Sequence, residues 1–422
     1  MKKRKAILLI VAILSLTFLF AHENKVDVPA SVALSAPPAP VQSVLPPVEP
    51  ALTAEPEIVP LDGVKPDDTP EQEDEPSDPV AELVAEIVGS MTLREKICQM
   101  LIVTLDSIPG VSGSAVADEV TRAALERYPV GGFIHFSPNI VSSGQISSLN
   151  ATLQEYSKVP LLLAVDEEGG RVARLRNSLR AHSVRAMLTY ESDGESTAFD
   201  NAVILSNALK THGFNTNFAP VADVWSNPAN TAIGDRAYSR DFDSASELVA
   251  AAVRGFKESD IACSLKHFPG HGNTREDSHY STAYVNRSLD ELRDNELKPF
   301  AAGIAAGADM VMTGHLIVPE ICELPATLSK VLITDVLRDE LGFDGVVITD
   351  SLAMDAISRQ FGAEFVAITA INAGVDILLM PINVDKTISA LIAAVESGDI
   401  LESLIDESVS RIIRLKITIG LY

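Results

Sequence analysis

Eight short apolar runs, rich in β-branched residues, recur between residues 98 and 380, and they dominate what this chain can become. They cover residues 98–104, 131–136, 161–166, 214–221, 261–267, 310–315, 345–350 and 375–380. Each gives way to a polar or Gly/Pro loop, and amphipathic patterns fill the intervals, as in 196–212, 244–257, 289–306, 328–341 and 364–373. Strands that alternate with helices pair in parallel through right-handed crossovers. Continuous apolar runs suit strands covered on both faces. Eight such units over about 340 residues predict an α/β fold, a single (β/α)8 TIM barrel with some enlarged loops. A doubly wound open sheet is the rival. Five runs end on or beside a charged residue or histidine: Asp166, Asp223, Lys266-His267, His315 and Asp350. A closed barrel would gather these ends round one mouth, whereas an open sheet would string them along an edge.

The chain ahead of the alternation has another character. Lys2-Lys3-Arg4-Lys5 precedes an apolar segment at 6–21, the pattern of a signal sequence slightly short for a membrane span. Leu19 fits a cleavage site after Ala21 only weakly, so a cleaved signal peptide and an uncleaved anchor both stand. Either places the remainder outside the cytoplasm, secreted or anchored on the outer face. Residues 22–80 hold 13 of the 24 prolines and 13 acids against two lysines, and are expected to form a disordered linker. The folded domain is expected over 81–422, with a first helix at 80–91.

A net charge of −25 weighs against nucleic acid as a partner, because phosphate binding needs clustered Lys and Arg. Three scattered cysteines with no CxxC spacing suit neither a disulfide framework nor a structural zinc site. Cys263 reads as a buried thiol, and a monomer is expected.

Residues 266–279, KHFPGHGNTREDSH, are the densest polar cluster, with three of the eight histidines. Lys266 and His267 leave the end of a run. Asp277 stands two residues before His279, and an aspartate so placed can orient an imidazole as a proton donor. Metal ligation by His267, His271, Asp277 and His279 is the alternative, although no HExxH-like spacing supports it. His271, between two glycines, reads as loop-structuring. Asp166 ends a run before a Gly169-Gly170 turn, with Arg174 nearby. It reads either as a helix cap or as a carboxylate accepting hydrogen bonds from substrate hydroxyls. Arg236 lies in a loop, and taken alone it suits a solvated surface. Asp350 ends a strongly apolar run before a helix expected to start at Ser351 or Leu352, and is either an N-cap or a nucleophile.

The motifs VDEEGGRVARL, FAPVADV, IGDRAYSRD, KHFPGHGNTREDSH, MTGHLIVP and GFDGVVITDSLAMDAI together resemble family-three glycoside hydrolases, in their β-N-acetylglucosaminidase branch. The resemblance runs from about Met91 to Leu415. It implies a (β/α)8 barrel and a retaining, two-step hydrolysis, with Asp350 as nucleophile and His279, oriented by Asp277, as acid/base. Asp166, Arg174, Arg236, Lys266 and His267 match positions that hold the terminal N-acetylglucosamine, and no metal or organic cofactor is implied. Most retaining enzymes pair two carboxylates instead. On this resemblance the glycines of the loop would let the Asp277-His279 part move relative to Lys266-His267. Glu167 stands where the family commonly has Gln and Asn273 where it commonly has Asp, and many of the family carry a second α/β domain after the barrel where this sequence ends at Tyr422, soon after the last helix. The expected substrates are peptidoglycan fragments or chitooligosaccharides. A phosphorylase and a non-catalytic wall-binding barrel are the alternatives.

Overall fold

The computed structural model describes residues 78–182, 184–278 and 281–422. The expected signal sequence, nearly all of the linker, and His279 lie outside the described residues. The first helix runs Pro79–Gly89, with the Asp78 side chain accepting the Val80 N–H at 3.0 Å. This helix starts one residue before the 80–91 helix expected from the sequence.

Each apolar run supplies one strand. These are β1 (Leu101–Val103), β2 (Gly132–His135), β3 (Leu162–Val165), β4 (Thr216–Asn217), β5 (Ala262–Phe268), β6 (Met310–Thr313), β7 (Val346–Thr349) and β8 (Leu378–Leu379). All eight are buried along their whole length, as strands packed inward on a barrel core and outward on helices must be. Sequential neighbours from β1 to β7 pair in parallel, and β8 returns to β1 through Leu101–Leu378. The ring closes between β7 and β8 through a parallel bridge, Ile348–Ile377, with the Thr349 N–H on the Ile377 carbonyl at 3.0 Å. The open-sheet rival fails on the β1–β8 and β7–β8 contacts.

Three elements depart from the expected pattern for local reasons. β4 is two residues long where the run spans eight, because Pro220 has no N–H for the ladder; pairing resumes only as a Val221–Lys266 bridge. The expected 289–306 helix is two helices, Leu289–Asp294 and Leu297–Ala305, broken at Asn295, whose φ of −133° and ψ of −89° are not helical. No helix starts at Ser351 or Leu352. Residues 351–354 form a turn at the barrel mouth, and helix Asp355–Ser358 follows it. A small three-stranded sheet, Ala283–Tyr284, Leu316–Val318 and Cys322–Pro325, takes up the chain after the loop that follows β5.

Candidate active site

The C-terminal ends of the strands surround a cavity of about 630 Å³. Asp166, Arg174, Arg236, Lys266, His267, Asp277 and Asp350 all line it, together with Glu168, Arg171 and Phe136. Seven of the eight residues singled out from the sequence thus share one cavity; the eighth, His279, is outside the described residues.

The cavity wall is a buried ion cluster. Lys266 Nζ lies 2.8 Å from Asp166 Oδ1 and 2.6 Å from Glu168 Oε1. Arg236 grips Glu168 with two parallel bonds, Nε to Oε2 and a terminal nitrogen to Oε1, each 2.9 Å. Arg236 is buried, and its other terminal nitrogen donates to the Ala232 carbonyl at 3.0 Å, so it is not a solvated surface arginine. Burial opposes ionisation of Glu168, but Arg236 and Lys266 outweigh it and hold that carboxyl well below the usual carboxylate range. Burial likewise opposes the charge on Lys266, and Asp166 and Glu168 hold its basicity above the ordinary lysine value. Asp166 keeps some exposure to the cavity, with Arg174 3.8 Å from its second oxygen. Fixed acceptors and donors of this kind suit a polyol.

Glu168 was not apparent from the sequence reading, yet its signal was there. Residues 167–169 continue as a strand, hairpinned to Val172–Ala173. Side chains alternate along a strand, so Asp166 and Glu168 face the cavity while Glu167 faces away. Glu167 is fully buried and accepts the Leu175 N–H at 2.7 Å and the Arg176 N–H at 3.2 Å, holding the first turn of helix Arg174–Leu179. Its departure from the family's Gln therefore falls on a helix start outside the pocket. Asn273 also stands off the cavity lining, its side-chain nitrogen 3.5 Å from Ser226 Oγ.

β5 delivers its polar end through a bulge. Lys266 pairs with Met312 and Phe268 with Thr313, which leaves His267 as the extra residue. The His267 N–H turns to the Asp223 carboxylate, at 3.1 and 3.2 Å, and ring Nδ1 lies 2.6 Å from Asp223 Oδ2. Asp223 also accepts the His271 N–H at 2.6 Å. Despite complete burial, His267 and His271 hold the Asp223 carboxyl below its ordinary range. This residue stood out in the sequence only as a charged group past a strand end.

Two of the loop glycines sit at close approaches to neighbouring chain. A Cβ on Gly272 would lie 1.7 Å from the Val224 carbonyl oxygen, and one on Gly270, at φ +129°, would lie 2.9 Å from the Glu296 Cβ. The absence of a side chain at both lets residues 269–274 approach the barrel this closely. The His271 ring bonds Thr274 Oγ1 at 2.8 Å and Ser278 Oγ at 2.9 Å, in keeping with a loop-structuring part.

Asp350, at the end of β7, takes its N–H to the Thr313 carbonyl at 2.9 Å, and its Oδ1 accepts the Ser351 N–H at 2.7 Å. His315 is buried beneath this turn, with ring nitrogens 2.8 Å from Thr327 Oγ1 and 2.9 Å from the Ser351 carbonyl. Cys263 is buried, and burial pushes its thiol far above the ordinary value. No group of three or more His, Cys, Asp or Glu is placed to hold a metal ion among the described residues.

A parallel eight-stranded barrel with this cluster at its mouth defines the fold class, and the comparison of sequences gives the family. Residues 92–415 match the family described as "Glycosyl hydrolase family 3 N terminal domain", and the chain belongs to that family. It is 36% identical over 323 residues to "Beta-hexosaminidase A" of Pseudoalteromonas piscicida, covering 69% of this chain and 54% of that protein. It is 38% identical over 291 residues to "Beta-hexosaminidase" of Stenotrophomonas maltophilia, covering 67% of this chain and 85% of that one. Among solved structures, the family 3 β-N-acetylglucosaminidase from Paenibacillus sp. str. FPU-7 superposes with a TM-score of 0.74 at 38% identity, covering 79% of this chain and 63% of that chain. The chain thus spans about half the length of the Pseudoalteromonas relative and nearly two thirds of the Paenibacillus one.

Proposed function

We propose that the protein is an exported, retaining exo-β-N-acetylglucosaminidase acting on peptidoglycan fragments or chitooligosaccharides. The observation that carries this reading is that Asp350, Asp277 and the cluster of Asp166, Glu168, Arg236, Lys266 and His267 line one cavity. A pocket floored by the barrel core takes a chain end, which suits removal of a terminal sugar. The names of the Pseudoalteromonas, Stenotrophomonas and Paenibacillus relatives support the N-acetylhexosaminide class.

In this mechanism Asp166, Arg174, Arg236, Lys266 and His267 hold the sugar hydroxyls. His279, oriented by Asp277, protonates the glycosidic oxygen as Asp350 attacks the anomeric carbon. The C–O bond to the leaving alcohol breaks and a glycosyl ester forms on Asp350. His279, now neutral, takes a proton from water as that water attacks the anomeric carbon and frees Asp350. Export rests on the basic and apolar pattern of residues 2–21.

The test uses the purified protein on aryl N-acetylglucosaminide and aryl glucoside, with and without phosphate. The expected result is hydrolysis of the first, unchanged by phosphate, and its loss in Asp350→Ala with the fold retained. Wild-type-like turnover by that variant would remove Asp350 as nucleophile. A sugar 1-phosphate product would make the protein a phosphorylase, and inactivity on both glycosides would favour a wall-binding barrel.

A further inference from the structure

We infer that His271 is the positioning residue of the acid/base loop: its ring clips Thr274 to Ser278 and so sets where Asp277 stands on the pocket wall. This rests on the proposed roles of Asp277 and His279.

His271 has an immobile base. Its N–H is held by Asp223 at 2.6 Å and its carbonyl accepts from Asn230 Nδ2 at 2.8 Å. It is buried, and its ring meets that of His267 edge to face at 5.9 Å. From this platform the ring reaches forward to Thr274 Oγ1 at 2.8 Å and to Ser278 Oγ at 2.9 Å. Ser278 directly follows Asp277 in the chain, so this bond holds the backbone one residue from that carboxylate.

The Thr274 hydroxyl also accepts from Asn230 Nδ2 at 3.1 Å and lies 3.0 Å from the His271 carbonyl and 3.2 Å from the Glu276 carbonyl. A neutral imidazole donates from one ring nitrogen and accepts at the other, and a hydroxyl can do either, so the ring can hold both side chains at once. Burial, which pushes the basicity of His271 down, favours the neutral ring.

Ser278→Ala removes only the hydroxyl and is measured against wild type on two substrates, a nitrophenyl N-acetylglucosaminide and chitobiose. Loss of acid assistance penalises the poor leaving group selectively. The expected result is a fall of about tenfold in kcat/KM on chitobiose, with the nitrophenyl substrate within about twofold of wild type. His271→Gln, which cannot reach both hydroxyls, should show the same split. In the His279→Ala background Ser278→Ala should cost nothing further, because both act on one step. Equal losses on both substrates, no loss on either, or additivity in the double variant would each overturn the inference. A His279→Ala variant without the substrate split would instead overturn the acid assignment, and the inference would fall with it.

Discussion

Replacing Glu168 by glutamine asks whether the buried ion cluster is what gives the pocket its form. The amide keeps the side-chain volume and loses the charge. Lys266 is left with Asp166 alone, at 2.8 Å. Arg236, which now spends two donors on two carboxylate oxygens at 2.9 Å each, faces one oxygen and one N–H2. Removing one partner of a buried ion pair costs about 3–5 kcal/mol. One surviving hydrogen bond and the remaining Asp166 put this variant at the lower end, about 3 kcal/mol. At about 2–4 °C per kcal/mol, the thermal midpoint should fall by roughly 6–12 °C. Calorimetry reads the midpoint, and steady-state kinetics on aryl N-acetylglucosaminide should show a raised KM as Lys266 and Arg236 lose their register. The pH dependence follows from the depressed carboxyl. Its stabilisation is present above the ordinary glutamate value and is lost only as pH falls through its own, lower value. The gap between wild type and variant should therefore persist at mildly acidic pH. A variant melting within about 1 °C of wild type with unaltered KM would refute the reasoning, and would mean that the backbone alone positions the two cations.

Gly272→Ala should cost far more activity than stability, because the new Cβ would lie 1.7 Å from the Val224 carbonyl and push the loop off the barrel; kcat and thermal melting on the same preparation separate the two. Lys416, fully buried with its amine 2.6 Å from Gln99 Oε1, is pushed down by burial to about 7 from 10.5. The folded state then binds fewer protons than the unfolded chain, so stability should be greatest above the unfolded value and decline as pH falls toward about 7. Lys416→Met should flatten that slope in denaturant titrations across alkaline pH. A chelator should leave activity unchanged, and a loss restored by zinc would return the 266–279 histidines to consideration as metal ligands.

The barrel was legible because its signal is redundant: eight apolar runs each place a strand even where the strand itself is short. β4 was over-read because Pro220 interrupts a run whose hydrophobicity continues through it. The site was legible wherever a polar residue ended an apolar run, as at Asp166, Lys266-His267 and Asp350. It was less legible where the meaning depends on parity or on a distant partner. Glu168 required the alternation of residues 166–168, and the burial of Arg236 required knowing that Glu168 awaits it. The glycines of residues 266–279 show the same limit. A sequence shows that a Cβ is absent but not what would have met it, and the close approach of Gly272 to Val224 is not readable from spacing.

The anchoring by Asp223 has a consequence for how such a site can change over time. One carboxylate fixes His267, the β5 residue assigned to sugar binding, and His271 in the loop assigned to proton transfer. On the proposed roles, the two functions cannot drift apart by small independent steps, since a change at residue 223 reaches both at once. Kinetically, substitutions there should move KM and kcat together. Historically, a relative that adopted a new acceptor, and needed its proton donor elsewhere, would have to move it with residue 223 closed to change.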